Sequence, residues 1–469
     1  MPGGASRKGT DGHKISERSA AAGLGYRAVV RFMREALWVY PLIAVAVGVM
    51  LAIYLTSASW NADQDLRDIG FSSTVSDARS LLGSLLGAMI AALAIVLSIT
   101  ALVYQNAASQ FGPRTLRNYI RDRSTKLVIS MFSGTIVYII SVLYLLGTEA
   151  DAGRDEPRLS LTIALALVVA SVATIAWYVN HTIQIIRIER LLYEIAKNTK
   201  REIRAITVRR ADELAQARTL PAVPDSAAIV VARDSGYLQE SDANALSDAA
   251  YSHGVVIWLA PMTGDHLTAG APLAWTWPVD ADASLDLDAV GDEVRESVEV
   301  RYSRTIELDV ALGFRQLIDS AIKALSPAIN DPYSALQSVD HLGDLLVQLA
   351  RAECGTELRR DDAGRVRVVL PAPDFASYLE LATGQIARYG AGEPAVMIRL
   401  LDMLAELAAV VDESNRADLG HTADKIDAFA RQATATDADL HVIDEALERT
   451  RSAIARGYEL PAPRSYVNL

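Results

Sequence analysis

Five polar residues near the middle of the chain, Arg315, Asp319, Ser326, Asn330 and Asp331, have types that could do chemistry. A guanidinium, two carboxylates, a hydroxyl and an amide converging on one point would hold a small ion or orient a polar substrate. Three of them sit in ALSPAINDPYSAL (324–336), where two prolines flank an Asn-Asp pair. The same residue types also build a corner. Ser326 and Asp331 each precede a proline. Ser and Asp accept the N–H bonds that helix starts leave free, and proline suits the first helical position. Residues before proline are also pushed away from helical angles. The segment therefore reads as stop, one short turn, restart. Capping accounts for Ser326, Pro327, Asp331 and Pro332 and explains Asn330 less well. Site and corner both stand open on the sequence.

Little else in the chain has reactive spacing. There is no phosphate-binding lysine loop, no G-x-G-x-x-G, no H-E-x-x-H and no G-x-S-x-G. The seven histidines are scattered without close ligand partners, and His341 beside Asp340 suits an exposed helix face. One cysteine, Cys354, excludes an intrachain disulfide. A formal net charge of -12 argues against a nucleic-acid partner. No cofactor and no metal are expected, and an enzyme is the weakest of the function classes.

The elements that must position these residues begin with four uncharged runs: 37–58, 80–104, 127–146 and 159–180. About 20 apolar residues in a helix cross the ~30 Å hydrocarbon core, so each run is long enough. They raise the hydrophobic share to 51% in a chain of 469 residues. The flanks alternate in charge. Arg18, Arg27, Arg31 and Arg34 precede the first run. Arg114, Arg117, Arg121, Arg123 and Lys126 lie between the second and third. Arg187, Arg190, Lys197, Lys200, Arg201 and Arg204 follow the fourth. The other two loops are acidic, with Asp63, Asp65 and Asp68 in one and Glu149, Asp151, Asp155 and Glu156 in the other. The positive-inside rule then puts both termini in the cytoplasm, with Arg114, Arg117, Arg121, Arg123, Arg187 and Arg190 at the membrane surface near anionic headgroups.

Ser80, Gly83, Ser84, Gly87, Ala91 and Ser98 give the second run a small-residue face. Such a face lets another helix approach closely. Packing within the four-helix unit is the favoured reading, and a pore lining or subunit interface the sharper one. No ionisable group lies at mid-membrane depth, which weighs against a proton-coupled carrier but not against a channel.

The expected order is a disordered cytoplasmic tail (1–25), a four-helix transmembrane domain (26–180) and a juxtamembrane helix (181–215). A small β-rich module (216–305) and a mostly helical domain (306–460) follow. Residues 181–210 run on from the fourth span without Gly or Pro, so one continuous helix is expected. Its apolar seam, Ile185, Ile188, Leu192 and Ile195, ends where Thr199 and Glu202 interrupt it. Strands are expected at 228–232, 255–260, 272–277, 297–302 and 365–370. The turn TGDHLTAGAPLA (263–274) looks like the hairpin of biotinyl and lipoyl barrels, yet no lysine between Lys200 and Lys323 could carry either group. Val310, Phe314, Leu317, Ile318 and Ala321 form one helical face, opposite an Arg315–Asp319–Lys323 ladder.

Three segments carry a resemblance to a known family: YQNAASQFGPRTLRNYIRDR (104–123), DSGYLQESDANAL (234–246) and RTIELDVALGFRQLIDSAIKALSPAINDP (304–332). The chain resembles bacterial predicted membrane proteins grouped as domain of unknown function 2254, over nearly all of residues 30 to 460. Against the pattern of that family it keeps Asp309, Gly313, Arg315, Asp319, Ser326, Pro327, Asn330, Asp331 and Pro332, with Ala328 where glycine is common. The resemblance implies topology and fold but no activity.

The fold class expected is thus an α-helical integral membrane protein with a mixed α+β cytoplasmic C-terminal region, in a bacterial inner membrane. The function expected is an oligomeric, channel-like assembly for ions or small solutes, its cytoplasmic part serving assembly or gating. The alternative is a non-conducting scaffold or sensor. The expected partners are the lipid bilayer, further copies of the chain, and an unidentified cytoplasmic protein or small ligand.

Overall fold

The computed structural model describes residues 38–61, 74–110, 123–149, 158–185, 188–210, 220–280, 285–304, 309–352, 354–434 and 436–456. The tail over 1–25, the acidic loop residues from Asp63 to Asp68 and from Asp151 to Glu156, and Arg114, Arg117, Arg121 and Arg187 lie outside them. The chain divides into two compact units, Met1–Ile186 and Arg187–Leu469.

The first unit contains helices α1 (Val39–Asn61), α2 (Val75–Gln110), α3 (Arg123–Glu149) and α4 (Arg158–Ile185). All four are long and apolar enough to cross a membrane, with mean hydropathies of 2.2, 2.6, 2.0 and 2.4 over their apolar windows. Helix α3 packs against each of the other three. Its closest approach is to α1. A Cβ on Gly48 would lie 2.6 Å from the Gly134 carbonyl oxygen, and one on Gly134 would lie 3.1 Å from that of Ala44. Ala44, Gly48 and Ala52 recur every four residues along α1, so the two backbones can touch.

Large side chains fill the bundle interior, among them Leu82, Met89, Val96, Phe132, Tyr138 and Ile139. Hydroxyl pairs tie the helices together: Thr100 to Tyr178 at 2.7 Å, Thr135 to Ser171 at 3.2 Å and Thr56 to Ser160 at 3.3 Å. Tyr138 Oη donates to the Ser160 carbonyl at 2.9 Å. Each bond satisfies a polar atom where water is scarce. Arg79 Nη2 donates to the Leu146 carbonyl at 2.7 Å, so the start of α2 holds the end of α3.

The second unit opens with α5 (Ile188–Arg210). Residues 158–185 and 188–210 are helical as expected, and the link at 186–187 lies outside the described residues. The seam of α5 does not stop at Thr199. Leu192, Ile195, Thr199 and Ile203 are all buried. They pack on α8 (Val310–Ala324) and α9 (Pro332–Arg351). Thr199 fits because it faces Gly313, where a Cβ would stand 1.9 Å from Thr199 Oγ1. Its hydroxyl bonds back to the Ile195 carbonyl at 2.8 Å, so the buried oxygen is satisfied. The seam is therefore a helix-packing face.

Next come β1 (Ala228–Val231), β2 (Gly236–Ser241), α6 (Ala243–Ser252), β3 (Val255–Leu259), β4 (His266–Leu267), β5 (Pro272–Pro278), α7 (Leu287–Glu296) and β6 (Val298–Arg301). Asp242 caps α6, accepting from the backbone N–H groups of Asn244 and Ala245. After α9 follow β7 (Glu357–Arg360) and β8 (Val366–Leu370). The larger sheet has the order β1-β5-β3-β8-β7, and the smaller one β4-β2-β6. Strand β8 pairs with β3 in parallel, so strands from both sides of residue 306 share one sheet. Strand β4 pairs with β2, while β5 lies between β1 and β3. The barrel-like hairpin expected at 263–274 is thus not formed. β3 (VVIWL) is buried along nearly its whole length, as an interior strand covered on both faces should be.

The chain ends in α10 (Phe375–Tyr389), α11 (Pro394–Leu407), α12 (Glu413–Ala433) and α13 (Asp437–Arg456). With α8 and α9 they form a bundle around Phe314, Leu317, Leu346, Leu379, Leu400 and Leu404, all nearly inaccessible.

Candidate functional site

The Pro-Asn-Asp segment is a helix corner. Helix α8 ends at Ala324 with Leu325 as its cap. Ser326 Oγ donates to the Lys323 carbonyl at 2.7 Å, and the Ser326 carbonyl accepts from the N–H groups of Ile329 and Asn330. The N–H of Asp331 returns to the Ala324 carbonyl at 2.9 Å and closes the loop. Asp331 then caps α9: its Oδ1 accepts from the Ser334 N–H at 3.2 Å and its Oδ2 from the Ser334 hydroxyl at 2.5 Å. Pro332 takes the first helical position. Asn330, the residue that capping left unexplained, has φ 51°. Among the described residues it is the only one besides glycine with positive φ. Asn tolerates the left-handed region better than most side chains, so backbone geometry accounts for it.

Arg315 is held elsewhere. It lines a groove of about 660 Å³ with residues of α10 and α12, and Asp319, Ser326, Asn330 and Asp331 are absent from that lining. The expected convergence of the five residues on one point therefore does not occur at this groove. Across it Lys425 Nζ pairs with Glu380 Oε2 at 2.8 Å, and the Arg388 guanidinium sits over the Phe429 ring at 5.7 Å from its centroid. Arg315 is half-buried and has no hydrogen bond or ion pair among the described residues, so it does not join the expected ladder with Asp319. Lys425, Arg388, Glu380 and Phe429 carried no local signal. They come from two helices separated in sequence and meet only after α10 packs on α12.

A second ionic cluster closes the start of α8. Arg304 makes two bonds to the Asp309 carboxylate, Nε to Oδ2 at 2.7 Å and Nη2 to Oδ1 at 2.9 Å, while Asp309 Oδ1 accepts from the Leu312 N–H. Burial opposes the charge of Arg304, but Asp309 and the nearby Asp265 outweigh it and raise its pKa. A guanidinium and a cap carboxylate five residues apart thus set the entry of α8. His341 is half-buried beside the Lys200–Asp344 ion pair rather than on an open face, and burial lowers its pKa.

On α2 the small-residue face points away from the bundle. Ser80, Gly83, Ser84, Gly87, Ala91 and Ser98 are exposed, and a Cβ built on Gly83 or Gly87 meets nothing within 4 Å. Packing inside the four-helix unit, the favoured reading of this face, is overturned. Ala78, Leu82, Met89, Val96 and Thr100 turn inward instead. The hydroxyls of Ser84 and Ser98 bond back to the carbonyls four residues earlier, each at 2.9 Å. Of the surface arginines, Arg123 opens α3 and Arg190 is exposed on α5. Lys126 is buried at the start of α3, with its ammonium over the Tyr40 ring.

No solved structure matches the chain. Uncharacterized proteins of Mycobacterium bovis (strain ATCC BAA-935 / AF2122/97) and Mycobacterium tuberculosis (strain ATCC 25618 / H37Rv) are 31% identical to it over 440 residues, covering 94% of this chain and 84% of each relative. A family model described as predicted membrane protein, domain of unknown function 2254, matches residues 34–406. The chain belongs to that family.

Proposed function

We propose that the protein is an oligomeric assembly of the bacterial inner membrane that conducts ions or small solutes. Both termini and the second unit face the cytoplasm, where that unit serves assembly or gating. The outward small-residue face of α2 carries the reading. A helix facing only lipid does not gain from turning Gly and Ser outward beside its exposed Ile90, Ile95 and Leu97 while burying Leu82 and Met89. A helix that meets a neighbouring subunit does, because small residues allow close backbone approach. The interior of one copy is filled by Phe132, Tyr138, Leu82 and Met89, so any conducting path lies between copies. Serine hydroxyls and glycine backbone along that path would present polar atoms to a permeating solute. The alternation of basic and acidic flanks supports the orientation.

Reconstitution of the full chain into planar bilayers tests the proposal. The expected result is a conductance that falls when Gly87→Leu narrows the shared surface. Silence under voltage and tension, together with a monomeric mass in detergent, would leave the scaffold or sensor reading in its place.

A further inference from the structure

We infer that the groove between α8, α10 and α12 binds a small phosphate-bearing ligand through Arg315. The inference does not depend on whether the assembly conducts. Three cations line the groove, Arg315, Arg388 and Lys425, against one carboxylate, Glu380. That local excess of positive charge occurs in a chain whose formal net charge is -12. Two of the cations are already engaged, Lys425 by Glu380 and Arg388 by the Phe429 ring. Arg315 is not, although the groove partly removes it from water. A half-buried guanidinium without a counterion carries an uncompensated desolvation cost. An anion in the groove supplies the missing partner.

The class of anion follows from the donors. A guanidinium presents a planar fork of N–H groups that matches phosphate oxygens two at a time. Leu381, Ile426 and Phe429 give the groove an apolar side, which suits a phosphate attached to an organic body better than a bare ion. The volume of about 660 Å³ has room for a mononucleotide-sized ligand.

Equilibrium dialysis of the full chain in a non-ionic detergent tests this with three probes: inorganic phosphate, adenosine monophosphate and a short-chain phosphatidylglycerol. Saturable binding is expected, tighter for an organic phosphate than for the bare ion. Arg315→Gln should weaken it about tenfold or more, as loss of a charge-assisted pair implies. Because Arg315 has no partner among the described residues, the melting temperature of the unliganded variant should not fall. Arg315→Lys keeps the charge but loses the fork, and should bind with intermediate strength. Competition by the lipid identifies a headgroup as the source of the phosphate, and its failure identifies a soluble metabolite. Absence of saturable binding for all three probes at millimolar concentration overturns the inference. So does unchanged affinity in Arg315→Gln.

Discussion

Asn330 shows what a single backbone angle contributes. Asn, Asp and a flanking arginine invite a ligand when read as side chains. Read as backbone, the Asn is there because φ is 51° and the Asp because a helix begins at the next residue. The two readings separate on substitution. Asn330→Gly should be nearly neutral in stability, because glycine accepts the angle freely. Asn330→Val should cost about 1–2 kcal/mol, the order expected when a bulky L-residue is forced left-handed. Asp331→Ala should cost about 1 kcal/mol as a lost cap. Thermal or chemical denaturation of the purified chain measures all three. Retained stability in Asp331→Ala alongside a lost conductance or ligand response would instead assign the corner a binding role. The Asp331 cap was legible, because Asp-Pro constrains its own neighbourhood, whereas the Ser326 hydroxyl donates back to the Lys323 carbonyl instead of capping a helix start. The location of Arg315 was not, since its groove is made by helices that begin about 60 and 100 residues further along.

At the scale of elements, α5 shows why a broken pattern need not mean a broken contact. Thr199 interrupts an aliphatic seam, yet the facing position is Gly313 and the polar atom bonds within its own helix. Periodicity reads one helix at a time and cannot see the complementary surface. The same limit hid the sheet. β3, β5 and β8 announce themselves by Val, Ile and Trp content, but pairing of β8 with β3 spans about 110 residues and leaves no local trace. β2 (GYLQES) and β7 (ELRR) are too polar and short to stand out. Gly313→Ala should therefore act at the level of the element, prising α5 from α8 at a cost of about 1–3 kcal/mol, as overpacking does. Thr199→Ala in the same chain should recover part of that loss, giving a measurable coupling between the two sites. Strict additivity in the double-mutant cycle would mean that the two residues do not oppose one another.

At the scale of the molecule, four long apolar helices were readable because length and charge exclusion are one-dimensional properties. Which way α2 turns was not. In a soluble helix polarity marks the outside, but an uncharged helix is apolar all round and only side-chain size distinguishes its faces. The structure resolves that ambiguity by burying Leu82, Met89 and Val96 and exposing the glycines and serines opposite them. A contact between copies along this face is testable without any assumption about transport. In a Cys354→Ser background, Gly87→Cys places a thiol on the α2 stripe, and Val169→Cys places one on the exposed side of α4. Mild oxidation of intact membranes should trap a species of twice the chain mass with the first and not with the second. A disulfide needs Cα atoms within about 7 Å, so random collision at the two positions would give similar, weak yields. Equal trapping at residues 87 and 169, or none at 87, would remove the subunit contact and with it the structural basis for a path between copies.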